Sequence, residues 1–246
     1  MSMLPPSHLR RTHTPLARIM GWARLASLLA RVSCRRLVGV EDLQASFALR
    51  GRVFGEHLGW VSCDADGLDR DEYDQGAVHL GVWAGGRLLG SVRLIQGPGP
   101  YMLDREFAPL IEGTRVGHGP DSLELTRLAV DPSLWGTPSG ALVRALLYRA
   151  LIRWALAHGV RQLYAVVTGA YAASLYRRYG FEPIGIPWQF GDGPLCTAVV
   201  CDLRGALRRL PVDAPLEAAW LFGVKAIWSA RAALGRVPRG AQTRPA

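Results

Sequence analysis

Residues 77–96, "AVHLGVWAGGRLLGSVRLIQ", constrain the fold more than any other stretch of the chain. Two β-rich runs meet at Gly85-Gly86, a pair that supplies the positive φ angles of a tight hairpin turn. "GPGP" at 97–100 stops the second strand, and "DREFAPLI" at 104–111 is read as a short helix. "SLELTRLAVD", 122–131, is a third strand. Its alternation slips once between Leu125 and Leu128, as a β-bulge requires. From Ser139 to His158, Val143, Leu146, Leu147, Ala150, Leu151 and Trp154 form a helical stripe capped by Gly159. A strand over 160–168, a helix over 170–180 and two closing strands, "FEPIGIPWQF" and "LCTAVVCDL", complete the order β, β, β, α, β, α, β, β.

Helical material flanks this core. Residues 16–33 space apolar groups around Arg18, Arg24 and Arg31, and residues 42–58 form a second helix that starts near Glu41 and Asp42. Residues 203–236 are helical again, and "PRGAQTRPA" at the end is expected to be disordered. The predicted organisation is an N-terminal amphipathic extension (1–36), an α/β core domain (37–204) and a C-terminal helical extension with its tail (205–246).

With 49% hydrophobic residues in 246, the chain has enough apolar material for a core of ordinary size. Arg interrupts every apolar run short of the ~18 residues a membrane span needs, and the N-terminus lacks a cleavable leader pattern, so the expected location is the cytoplasm. Cys34, Cys63, Cys196 and Cys201 show no C-x-x-C spacing, so they read as free thiols and no metal site is expected. Cys196 and Cys201, an odd number apart, should face opposite sides of a sheet. The net charge is +9, but only Lys225 among 29 basic residues is a lysine. No zinc finger, RNA-binding signature or dense basic arm accompanies that charge, and nucleic acid is not an expected partner.

Against this positive background, "DRDEYD" places Asp69, Asp71, Glu72 and Asp74 just ahead of the hairpin. The run is either a solvated turn or a set of acids that serves something cationic. Read in order, the chain offers Arg50-x-x-Val53-Phe54, Trp60, Asp71-Glu72-Tyr73-Asp74, Arg93-Leu94, Met102-Leu103, Phe107 and Glu124-Leu125-Thr126-Arg127. This series, from about Arg50 to Pro187, resembles the acyl-homoserine-lactone synthases, the autoinducer synthases of quorum-sensing bacteria. Several short motifs in one order are more specific than any one alone.

The resemblance implies a GNAT-type N-acyltransferase fold: a central, mixed, mostly antiparallel sheet with two splayed strands, flanked by helices. It also implies acyl transfer from acyl carrier protein to the amine of S-adenosylmethionine, then lactone closure with loss of methylthioadenosine. S-adenosylmethionine is then a substrate, and the donor's phosphopantetheine arm takes the place of a resident cofactor. By residue matching, Arg50, Phe54, Trp60, Asp71, Asp74, Arg93 and Phe107 would bind substrate. Thr168 would recognise oxygen on the acyl β-carbon. Glu124, Thr126 and Arg127 would be catalytic, with Glu124 a base acting through water, Arg127 orienting the acids, and backbone N–H groups at the bulge holding the oxyanion. A sulfonium ligand suits acids and aromatic faces, and its carboxylate suits Arg50 or Arg93. Equally, Arg50 and Arg93 could pair structurally with Asp71 and Asp74, and Glu124 with Arg127.

An apolar tunnel for the acyl tail is expected between the central helix and "LYAVVT", lined by Val166, Val167 and Trp154. "PSLWGTPSG" lacks the glycine spacing of a pyrophosphate loop, which favours carrier protein over free coenzyme A. Arg144, Arg149, Arg153, Arg177 and Arg178 could meet an acidic carrier. The chain departs from the family in Thr126 for Ser, Asp69 for Glu, and "RLIQG" without Pro-Thr. His79 is closer to the related N-acyl amino acid synthases and exosortase-associated acyltransferases, which form no lactone. A non-catalytic protein that binds carrier protein or membrane through its helical ends is a third reading.

Overall fold

The computed structural model describes residues 32–213 and 215–222. Seven strands form one sheet in the order β1-β2-β3-β4-β5-β7-β6. They are β1 (Val32–Leu37), β2 (Val78–Ala84), β3 (Arg87–Gln96), β4 (Ser122–Val130), β5 (Gln162–Thr168), β6 (Glu182–Gln189) and β7 (Leu195–Asp202). β4 and β5 run parallel and every other pair is antiparallel. The hairpin forms as its glycines require, with φ of 55° at Gly85 and 76° at Gly86.

Among the described residues five α-helices flank the sheet: α1 (Val40–Arg50), α2 (Pro138–Ala157), α3 (Gly169–Tyr179), α4 (Leu203–Asp213) and α5 (Pro215–Phe222). α2 lays Val143, Leu147 and Leu151 against Val82, Val92, Leu94 and Leu123. α1 and the π-helical turns that continue it, Gly51–His57, pack Leu49, Val53 and Phe54 against Leu37 and Leu88 in a separate cluster. Hence the helix expected over 42–58 exists, with its last two turns widened. "DREFAPLI" gives no α-helix. Short 3-10 turns stand instead at Met102–Asp104 and Ala108–Ile111.

The order of strands and helices from β2 to β7 follows the sequence expectation, and β1 adds an edge strand to it. Residues 32 and 33 open β1 instead of closing a helix, because Val32 and Cys34 pack inward while the strand pairs with β2. The rest of the predicted 16–33 helix, residues 223–236 and the C-terminal tail lie outside the described residues. Among the described residues no helix is long and apolar enough to cross a membrane.

Two features position the site. The β4–β5 ladder covers only Ser122–Leu125 with Gln162–Ala165. Beyond it β4 continues along β3 and β5 along β7, so the two strands part and their facing edges go unpaired. Within β4 the register against β3 shifts between Ser91 and Arg93, and Arg127 adopts a φ of 51°. This is the expected bulge, and its extra residue re-aims the side chains that follow.

Candidate active site

At the end of α1, a Cβ on Gly51 would lie 2.1 Å from the carbonyl oxygen of Gly67. Only glycine permits that approach, and it brings the acidic segment onto α1, where the Asp69 N–H donates to the Phe47 carbonyl (3.2 Å). The acids then make two kinds of bond. Asp71 accepts from the Tyr73 N–H (3.0 Å) and Asp74 from the Asp71 N–H (2.9 Å), a reciprocal cap on the 3-10 turn Glu72–Asp74.

The same carboxylates meet three guanidiniums. Arg50 donates through Nε to Asp69 (3.0 Å) and through both terminal nitrogens to Asp74 (2.6 and 3.2 Å). Arg93 donates through Nη1 to Asp71 and to Asp74 (2.7 Å), through Nη2 to Asp71 (3.0 Å), and through Nε to the Thr126 hydroxyl (2.9 Å). Arg127 donates through Nε to Asp69 (2.8 Å) and through Nη2 to Asp71 (3.3 Å). Three positive and three negative groups thus balance in a region where Arg50, Arg93 and Asp69 are buried. Burial alone would raise the Asp69 and Asp74 pKa, but hydrogen bonds and charge from Arg50 outweigh it and hold both below the usual carboxylate range.

Glu124 is wholly buried on β4. Its oxygens accept from the backbone N–H groups of Met102 (2.6 Å) and Leu103 (3.2 Å). Desolvation pushes its pKa up to about 8, against the opposing pull of those two donors and of Arg93. A carboxyl poised near neutrality can take a proton and return it.

In front of this network lies a cavity of about 680 Å³. Phe54, Trp60, Met102, Phe107, Glu124, Thr126, Arg127 and Thr168 line it, together with the β6–β7 loop from Phe190 to Pro194 and Cys196. Phe54 and Trp60 stack at 6.2 Å, and Phe107 meets Phe190 edge-on at 5.4 Å. A second cavity of about 560 Å³ shares Phe54, Trp60, Thr126, Arg127 and Val166–Thr168 and runs toward α2 and α3, past Arg144, Tyr148 and Tyr171. The splay between β4 and β5 is common to both.

The sequence-predicted residues therefore fall into two groups. Phe54, Trp60, Phe107, Glu124, Thr126, Arg127 and Thr168 reach the cavity. Arg50, Asp71, Asp74 and Arg93 stand behind it, and this revises the grip on a substrate carboxylate expected of Arg50 or Arg93. Every guanidinium nitrogen of these two already donates to a side chain, and turning either guanidinium toward a ligand would give up ion pairs made by a buried charge. Glu124 likewise does not pair with Arg127. Val166 and Val167 line both cavities, but Trp154 stacks on His158 at 4.0 Å at the end of α2. Arg144, Arg149 and Arg153 do not form one face: Arg144 enters the second cavity, Arg149 lies over Trp220 at 5.0 Å, and Arg153 is exposed. The side chains of Arg177 and Arg178 lie outside the described residues. Cys201 packs in the core beside α3, and Cys196 on the opposite face borders the first cavity.

Sequence reasoning left three contributors unassigned. Asp69 completes the ion-pair set, and its place at the head of the acidic run "DRDEYD" was the signal for it. Met102 touches Arg93 Nη2 through its sulfur (3.2 Å), and Phe190 faces Phe107 from a Gly-Asp-Gly loop. Met102 belongs to the motif series without a role assigned to it there, and Phe190 carries no local signature.

Comparisons with known proteins point to one family. The family profile described as autoinducer synthase matches residues 35–189, more than half of the chain. The acyl-homoserine-lactone synthase of Rhizobium radiobacter is 31% identical over 129 residues, covering 49% of this chain and 59% of that protein. The chain thus spans about three-fifths of the length of the first curated relatives it matches. Among solved structures, the AHL synthase LasI aligns with a TM-score of 0.61 at 26% identity, over 70% of this chain and 89% of LasI. TofI, solved in a ternary complex with an inhibitor and MTA, aligns with a TM-score of 0.57 at 25% identity, over 70% and 91%.

Proposed function

The chain belongs to the autoinducer synthase family, and from that membership we propose that it is an N-acyl-homoserine lactone synthase acting on S-adenosylmethionine and an acyl thioester. The observation that carries the proposal is the pair of cavities joined at the β4–β5 splay, one walled by aromatic and charged groups, the other largely apolar.

The sulfonium of S-adenosylmethionine would lie in the first cavity against Phe54, Trp60 and Phe107, where cation–π attraction contributes about 0.5–2 kcal/mol. Its carboxylate would meet Arg127, whose Nη1 has no carboxylate partner and reaches only the Met102 sulfur at 3.8 Å. Asp69, Asp71 and Asp74 would act from behind, fixing Arg127 and Arg93 in place. MTA in the TofI complex supports the same ligand class, since methylthioadenosine is what lactone closure would release.

Acyl transfer begins when the methionine amine gives up a proton to Glu124, through water, and attacks the thioester carbon. A C–N bond forms, the C–S bond breaks, and the thiol leaves with a proton. Backbone N–H groups at the Arg127 bulge would hold the oxyanion, because the β4 edge facing β5 has no ladder partner there. The methionine carboxylate oxygen then attacks its own γ-carbon, the C–S⁺ bond breaks, and neutral methylthioadenosine departs.

The donor we favour is an acyl carrier protein. At the start of α2, where a pyrophosphate would be cradled, Pro138 has no N–H, and Gly140 donates to the Thr137 hydroxyl at 3.1 Å. A Cβ on Gly140 would lie 2.3 Å from the Leu134 carbonyl oxygen, so the preceding loop occupies that end of the helix.

Purified protein given S-adenosylmethionine with acyl carrier protein or coenzyme A thioesters, followed by mass spectrometry, tests the proposal. Acyl-homoserine lactone and methylthioadenosine should appear in equal amounts, faster from the carrier. Acylation of a free amino acid without methylthioadenosine would instead make the chain an N-acyl amino acid synthase.

A further inference from the structure

Beyond the second cavity, under α4 and α5, lies a small apolar void of about 30 Å³ walled by Leu151, Leu163, Leu203, Leu207, Leu210 and Leu221. Its lining is almost wholly apolar, and well-packed interiors leave few such gaps. Leu125, Tyr148 and Phe181 border both spaces.

Tyr148 is the one of these three with polar tethering. It projects from α2, its hydroxyl meets that of Tyr171 on the cavity side, and its ring packs on Tyr179 on the void side, with centroids 5.4 Å apart. Tyr171 and Tyr179 both belong to α3, so one short helix holds the ring from two directions.

We propose that Tyr148, held by Tyr171, is the end wall of the acyl-chain site and sets the length of chain accepted, the apolar space behind it being room that only a longer tail would fill. The proposal rests on the acyltransferase reading above and names a specificity residue within it. Each methylene transferred from water into such a space strengthens binding roughly fourfold. While the Tyr148 ring stands in place, a tail with extra methylenes must displace it or fold back, so chains past the wall lose that gain.

The experiment presents the protein with S-adenosylmethionine and an equimolar mixture of saturated acyl carrier protein thioesters of increasing length, and reads the products by mass spectrometry. In Tyr148→Ala, the kcat/KM ratio of the donor two carbons longer than the wild-type optimum, relative to that optimum, should rise roughly tenfold. Tyr171→Phe removes only a hydroxyl and should shift the ratio the same way by less. Adding Ala206→Phe, which fills the void from α4, to Tyr148→Ala should return the preference toward the wild-type length. An unchanged length profile in Tyr171→Phe and in a folded Tyr148→Ala, with wild-type turnover intact, overturns the end-wall assignment and leaves the functional reading standing. Absence of turnover in the wild type from every donor overturns both.

Discussion

Asp69→Asn is the sharpest probe of the ion-pair network. The substitution preserves shape and removes one charge from a carboxylate that is only 2% exposed and accepts from Arg50 Nε at 3.0 Å and Arg127 Nε at 2.8 Å. Three guanidiniums would then face two carboxylates, and the new amide nitrogen would set a donor against a donor on one side. Removing one member of a buried pair costs about 3–5 kcal/mol, because the partner charge stays behind without solvent. In a chain of this size each kcal/mol lowers Tm by about 2–4 °C, so the expected loss is roughly 6–20 °C. Circular dichroism melts at pH 7 measure it. Glu72→Gln is the control, since Glu72 pairs with Arg105 in the same acidic run but both side chains are more than half exposed. That substitution should leave Tm within the scatter of repeated melts. Equal, small shifts for the two variants would refute the claim that these acids are structural counter-charges.

Glu124, with a pKa pushed up to about 8, should give a kcat/KM that rises with pH and levels above that value, because the base must be ionised. Glu124→Gln should slow acyl transfer by about 10²–10⁴-fold and abolish the rise, as stopped assays across pH 6–10 would record. His79, buried beside Asp74 with both ring nitrogens unbonded, has a pKa lowered to about 4, chiefly by desolvation. Between about 6.5 and 4 the unfolded chain takes a proton that the folded one refuses, so stability falls by about 3 kcal/mol as pH drops through that window. Urea unfolding of His79→Phe should lack this slope. Below it, Asp69 and Asp74 begin to protonate and both proteins should weaken together. Trp60→Ala should raise the KM for S-adenosylmethionine by about 2–30-fold with little effect on Tm, because Trp60 stands 47% exposed at the cavity wall.

Local pattern carried much of the fold. The glycine pair of the hairpin, the slipped alternation around Arg127 and the apolar stripe of α2 each follow from steric rules that act over a few residues, and all three stand in the structure. β1 escaped notice because its alternation, Val32 and Cys34 inward with Ser33 and Arg35 outward, lasts only four residues before Arg36 interrupts it. Part of the motif series converges on one cavity, since its residue types and spacing travel with the chain.

What the order of residues could not decide is which side chains face a ligand and which face one another. Arg50, Arg93 and Arg127 are equivalent in sequence, each a guanidinium within reach of nearby acids. Only the docking of the acidic turn onto α1, permitted at Gly51, commits the first two to buried carboxylates and leaves one Arg127 nitrogen toward the cavity. Likewise the parting of β4 from β5 is a property of two strands held by different neighbours, so the cavities it opens exist only once the whole sheet has assembled. Long-range pairing depends on segments that no local pattern relates, and in this protein that pairing separates support from contact.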